Sequence, residues 1–368
     1  LVNAAFILFS MGFVWHKFGH PAKALAAGVV VGAILQFLIM LPQLVRKGMR
    51  FDFGLSLGDP GVRRVARLML PAFFGVGILH VNVLVGTLFA TDRRMPVGSL
   101  TSLYVGDRIM QLVLGAYAIA VATAILPGMA RQVAAGDIPG LKTTLAFSMR
   151  IVSFITIPAA VGLIVMRKPI VQVLFEHGRF GAESVMLTSR ALFCYSLGLP
   201  AFAAAKLIVP AFYSTHDTKT PMHAAAVALV ANVVFNMLLL TFCFRIFQNG
   251  IPALAAVLSA YLNSGMLFAI LRHRIGALEE TALFRSMAKV GLASAIMGAA
   301  CLAGIRVSHF YAIEGFAPQL GVFLALLGGA TAVYFGVARL FQCEELGELY
   351  LIVARGQHTE PMDVGLTG

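Results

Sequence analysis

Apolar residues run along this chain in stretches of helical length, separated by short polar segments in which lysine and arginine prevail. Ten stretches stand out, at roughly 1–14 (cut short), 22–44, 67–90, 97–126, 147–166, 185–213, 221–244, 251–271, 286–305 and 317–341. About 20 apolar residues in a helix cross a hydrocarbon layer about 30 Å thick, so each full stretch predicts a transmembrane helix. The runs are too long and too continuous for the ten-residue alternating strands of an outer-membrane barrel. Pro71, Pro158, Pro200 and Pro210 fall inside stretches, where a proline kinks the rod and frees a carbonyl. The pattern predicts an all-α integral membrane protein with about ten transmembrane helices.

Composition agrees. Hydrophobic residues make up 59% and charged residues 12% of 368, more apolar sequence than one soluble core absorbs. The net charge of +12 does not point to nucleic acid, because the basic residues mark the segments between spans. Assigning alternate loops gives sixteen Lys and Arg to one side and nine to the other, which predicts that the first side is cytoplasmic. The segment from Arg46 to Arg67 is the most basic and is expected to rest on anionic headgroups, with Asp59 and Pro60 opening a short interfacial helix. The four cysteines match no metal spacing. The chain opens on Leu1 inside an apolar run, so it reads as a fragment or as a chain without its front.

Polar residues within the spans carry the functional signal. Of sixteen acidic residues only Asp107 lies inside a span, directly before Arg108. Counted from Pro96, Arg108 lies about 18 Å along a helix, close to the midplane. A charge there costs on the order of 3 kcal/mol or more unless it faces water or a partner. Neighbours on a helix point about 100° apart, so the two residues are poorly placed to neutralise each other. Arg190 and Lys206, on one proline-broken stretch, either line a cavity or snorkel to the interface. Cations facing a cavity favour an anionic substrate, since guanidinium grips phosphate with a two-pronged fork. Asn232 and Asn236 stand one turn apart and either bridge helices or offer oxygens to a monovalent cation. No hydrolase, zinc or phosphate-loop motif is present, away from their ends the spans offer only Asp107 and His80 as bases, and neither enzyme chemistry nor a cofactor is expected.

Several motifs resemble one family. Tyr104-Val105-Gly106-Asp107-Arg108-Ile109-Met110-Gln111-Leu112, then Gly115 and Leu126-Pro127, is similar to the eighth helix of the bacterial lipid II flippases of peptidoglycan synthesis (MurJ/MviN). Leu174 to Phe180, Tyr195, Gly198 to Phe202, Lys206, Pro210 to Ser214, Asp217 to Pro221, Leu35-Gln36, Leu41 to Leu44 and Gly48-Met49 fit as well. The similarity extends over about residues 1 to 342.

The resemblance implies the multidrug/oligosaccharidyl-lipid/polysaccharide exporter fold of fourteen helices, two six-helix lobes and a final pair. By that comparison residues 1–66 hold the last two spans of the N-lobe and a basic cytoplasmic loop, and the first four helices are missing. Residues 67–275 are the C-lobe, 276–342 the terminal pair, and 343–368 a cytoplasmic tail. It also implies alternating access in the inner membrane, with a cationic cavity taking the pyrophosphate-sugar headgroup of lipid II while the polyprenyl tail stays among membrane lipids. Arg108 matches a cavity cation; Asp107, Lys206 and Arg190 are further candidate substrate-binding residues. Asn232 and Asn236 remain the candidate monovalent-cation site.

Two positions depart from the family. Val113 stands where members usually carry a proline, which removes the ground for a kink after Arg108. Near Asn236 there is no carboxylate of the kind with which some members bind sodium. Competing readings are a sibling exporter of another lipid-linked oligosaccharide, a drug exporter, and a non-transporting scaffold. With most of one lobe missing, this chain alone is expected to insert without translocating.

Overall fold

The computed structural model describes residues 21–46, 77–78, 80–215, 217–277, 280–313, 315–343 and 345–347. The chain divides into two compact units, Leu1–Met69 and Leu70–Gly368. In the first unit the described part is one helix, α1 (Pro21–Arg46), with Pro42 inside it. The expected span 1–14, the bulk of the basic segment between Arg46 and Arg67, and the start of span 67–90 lie outside the described residues.

In the second unit every described element is helical. Helix α2 (His80–Ala90) leads to α3 (Ser99–Val113), a π-helical turn (Leu114–Ile119) and α4 (Ala120–Ala134), which together form one rod. Then come α5 (Ile138–Phe175), α6 (Ala182–Leu197), α7 (Leu199–Ser214), α8 (Lys219–Phe242), α9 (Ile251–Ile275), α10 (Glu280–Val307) and α11 (Phe316–Leu340). Among the described residues six helices are long and apolar enough to cross a membrane, and the α6–α7 pair makes a seventh if counted as one bent span. The chain is a multi-pass membrane protein.

Hydropathy marks the lipid-facing part of each rod, and the helices run on past it. The stretch 147–166 sits inside α5, whose 38 residues reach about 57 Å, far beyond the hydrocarbon layer. Its start is fixed by Asp137, whose Oδ1 accepts the Gly140 N–H at 2.9 Å, with proline in the first turn where no donor is needed. The expected end of the preceding span near 126 is likewise passed. The helix continues through Pro127 to Ala134 and stops before Gly136, which holds the left-handed φ of 71°.

Prolines act through the carbonyls they release. Pro158 has no N–H for the Phe154 carbonyl four residues back, and the Tyr334 hydroxyl of α11 donates to that oxygen at 2.6 Å. The bond ties the terminal pair to α5. Gly298 and Gly304 let α10 close on its neighbours, since a Cβ would stand 2.8 Å from Val161 and 2.6 Å from Leu326. After α11 the chain turns back, and buried Glu345 accepts the Ser286 hydroxyl at 2.6 Å. The first residues of the expected tail are therefore packed on α10.

The break between α6 and α7 is 46°. It falls at Gly198, with Pro200 in the first turn of α7 where its missing N–H costs nothing. Helix α9 seals the bend: the Tyr261 hydroxyl donates to the Leu197 carbonyl at 2.8 Å, and Val257 lies against Gly198.

The Asp217 motif is a clip at one end of this unit, outside the spans. Asp217 accepts the Lys219 and Thr220 N–H groups at 3.0 and 2.9 Å and also pairs with Arg274, which follows the apolar part of α9. Partial burial opposes ionisation, but the Thr220 hydrogen bonds and the Arg274 guanidinium outweigh it and hold the carboxyl at about 2. A folded-state value below the unfolded one means the clip is fully formed above about pH 4 and is lost as pH falls toward 2. We predict that Asp217→Asn lowers thermal stability in detergent near neutral pH, and that its difference from the parent narrows on acidification through that window. A difference that stayed constant down to the lower limit would sink this account.

Candidate functional site

The residues around Arg108 are arranged by one close helix contact. At Gly106 a Cβ would meet the Leu192 nitrogen at 3.2 Å and the Ala191 Cβ at 3.3 Å, so α3 lies almost backbone to backbone on α6. Ile109 and Met110 are buried on that side, while Tyr104, Arg108 and Gln111 are exposed. Their spacing of four and three puts them on one stripe, with half-buried Asp107 at its edge.

Asp107 and Arg108 turn to different partners. The Gln111 amide donates to the Asp107 carboxylate, and the Arg108 guanidinium lies over the Tyr104 ring, 4.8 Å from its centroid. The two make no ion pair with each other among the described residues. A cation–π contact contributes roughly 0.5–1 kcal/mol when exposed and about 2 when desolvated. That falls short of the roughly 3 kcal/mol or more that a mid-membrane charge costs. The remainder must come from water or from an anion, and stacking leaves the in-plane N–H edges of the guanidinium free to meet one.

Directly after Val113 the π turn follows, with Leu114 and Ala118 on its buried side. Such turns carry an extra residue and recur at functional positions. The rod therefore changes its winding six residues past Arg108, with no proline at Val113. The sequence held no legible sign of it.

Arg190 has a different environment. Its Nη1 donates to Gln248 Oε1 and, at 3.4 Å, to Asn249 Oδ1. Asn249 is fully buried and donates to Ser102 Oγ at 3.0 Å and to the Leu187 carbonyl at 2.8 Å. The guanidinium thus belongs to a network joining α3, α6 and the turn before α9, and neither snorkels nor stands on the Arg108 stripe. Gln248 and Asn249 escaped the sequence reading because they occupy a short inter-span turn. Lys206 is exposed on α7, and the structure does not bring it together with Arg108 through any described contact.

Asn232 and Asn236 are buried and joined: the Asn236 amide donates to both Oδ1 and the carbonyl of Asn232. The Asn232 amide in turn donates to Asn82 Oδ1 on α2 at 2.8 Å, completing a ladder between helices. Two of the three side-chain oxygens are thereby spent on amides, and only Asn236 Oδ1 is left without a partner. Among the described residues no group of His, Cys, Asp or Glu is placed to hold a metal ion.

Comparison with known proteins follows this geometry. A sequence model described as lipid II flippase MurJ matches residues 1–322. A probable lipid II flippase MurJ of Vibrio cholerae is 34% identical over 325 residues, which is 87% of this chain and 60% of that protein. One of Rhizobium meliloti is 35% identical over 341 residues, 90% of this chain and 62% of the relative. The chain therefore spans about 60% of the length of these curated relatives. A solved structure titled lipid II flippase MurJ, inward closed conformation, superimposes with a TM-score of 0.72 at 22% identity. It covers 92% of this chain and 66% of that one, a likeness of fold.

Proposed function

This chain belongs to the lipid II flippase MurJ family, and from that membership we propose that it takes part in moving undecaprenyl-pyrophosphate-linked peptidoglycan precursor across the bacterial inner membrane by alternating access. The observation that carries the reading is Arg108: a mid-span cation that is exposed, is stacked on Tyr104 and makes no ion pair with the only acidic residue within the predicted spans. Its free N–H edges suit a diphosphate, the one strongly anionic part of such a substrate. Asp107, held by Gln111, sets the edge of that site and discourages anions that bind out of register. Lys206 adds positive charge on α7. Arg190 shapes the wall of the site through Asn249, and the asparagine ladder serves α2–α8 packing at about 0.6 kcal/mol per hydrogen bond in place of holding a cation.

The test is reconstitution of the full-length protein containing this chain, with fluorescent lipid-linked precursor placed in one leaflet. Loss of fluorophore accessibility from that leaflet, dependent on the protein and on the diphosphate, is expected. Transfer of a monophosphate-linked lipid at an equal rate would overturn the diphosphate reading.

A further inference from the structure

A second cationic site lies away from the Arg108 stripe, where α5 leaves its apolar stretch. Arg167 and Lys168 follow one another there, and each is held against an aromatic ring from another element. Lys168 Nζ stands 4.6 Å from the centroid of Tyr311, and Arg167 Cζ stands 4.9 Å from that of Phe193 on α6. Arg167 Nη1 donates to the Ile164 carbonyl at 3.0 Å, which draws the guanidinium back along its own helix. Tyr311 belongs to a short 3-10 turn between α10 and α11. The turn is anchored by fully buried Phe310, packed in a cluster with Met166 and Val173 of α5. Three parts of the fold therefore converge on the pair, and Tyr311 itself is 51% exposed.

We propose that Arg167, Lys168 and Tyr311 form a binding site for the phosphate diester headgroup of an anionic phospholipid. Ion pairs among the described residues, Arg94–Asp92 and Arg274–Asp217, involve neither cation. Each cation sits over an aromatic ring, and its N–H donors that point away from the ring remain available to a ligand beside it. Holding a lysine in one conformation costs rotamer freedom that an exposed cation–π contact barely repays, and a bound phosphate supplies the missing attraction. The position fits a lipid. The site stands at the end of a hydrophobic stretch, where headgroups lie, and the tyrosine ring suits the boundary between apolar chains and water. A soluble anion would have no use for that apolar flank. The site is independent of the transport reading, and its test involves no translocation.

The experiment uses the 368-residue chain with Trp15→Phe, which removes its one tryptophan, and Tyr311→Trp, which keeps an aromatic face and places a reporter in the site. Quenching is titrated with chain-brominated phosphatidylglycerol and, separately, with chain-brominated phosphatidylcholine in vesicles. A preference for phosphatidylglycerol is expected, falling about fivefold for each of Arg167→Gln and Lys168→Gln. Arg179→Gln, a charge further along the same side, should leave it unchanged. Equal quenching by the two lipids overturns the proposal, and so does an equal effect of Arg179→Gln, which would mean diffuse surface charge. Displacement by inorganic phosphate beyond an ionic-strength-matched chloride control would show a soluble-anion site and overturn the headgroup assignment. Counting phosphatidylglycerol retained by native mass spectrometry, with Tyr311 intact, gives the same comparison should the tryptophan variant fail to fold.

Discussion

Arg108→Ala in the full-length protein is expected to abolish support of cell-wall synthesis while leaving folding and membrane insertion intact. The side chain is exposed and touches Tyr104, so truncation opens no cavity and breaks no described hydrogen bond. Removing a charge from mid-membrane depth in fact relieves a cost on the order of 3 kcal/mol. What is lost is the anion contact. Hydrogen bonds to charged groups are worth about 1.5–3 kcal/mol each, or roughly ten- to a hundredfold in affinity, and a diphosphate takes at least two. Arg108→Lys should rescue partly, because a point charge keeps the attraction and loses the two-pronged geometry. The measurement is growth at native expression in a strain depleted of its own flippase, with protein level checked in the membrane. Normal growth of the alanine variant would mean the charge is structural.

Gly198→Ala is expected to be the most destabilising of the conservative changes, although it adds one methyl group. A Cβ there would stand 2.4 Å from Val257 Cγ2, 2.8 Å from Phe202 Cε2 and 3.1 Å from Val257 Cβ, closer than side chains tolerate. The Phe202 ring on α7 can turn aside, but relief from Val257 requires the α6–α7 bend or α9 to move. Either motion stretches the Tyr261–Leu197 bond that seals the broken helix. Overpacking of this kind costs about 1–3 kcal/mol. Thermal unfolding in detergent, followed by tryptophan-independent static light scattering, should show a clear drop. Val257→Ala in the same chain removes the closest atom, Cγ2, and should restore part of the loss. Failure of that second change to rescue, with Gly198→Ala still destabilised, would place the strain elsewhere.

The first prediction needs little beyond the charge that the sequence places at mid-depth, whereas the second turns on distances that the sequence does not supply. The sequence did determine a good deal. Apolar run length is itself the physical requirement for crossing a bilayer, so the described rods and their order were legible, as was the anomaly of a charged pair at mid-depth. The family motifs, each a run of residues whose identity can be read singly, placed the chain among the flippases. Helix ends were less legible, because α5 and the rod carrying Arg108 run past the hydrophobic layer, and hydropathy reports the layer. Side-chain partners were the least legible. Asn232 met Asn82, 150 positions away, and Arg190 met Gln248 and Asn249, at separations of 58 and 59 residues. Packing alone brings such residues together. Asp107 and Arg108 are the exception: helix geometry already sets them about 100° apart, and their partners Gln111 and Tyr104 lie one turn away on the same helix. Local pattern sets what each segment is, because backbone hydrogen bonding and lipid contact are satisfied within the segment. Which charge is spent on structure and which is left for a ligand depends on neighbours from other helices, and only the tertiary fold decided it.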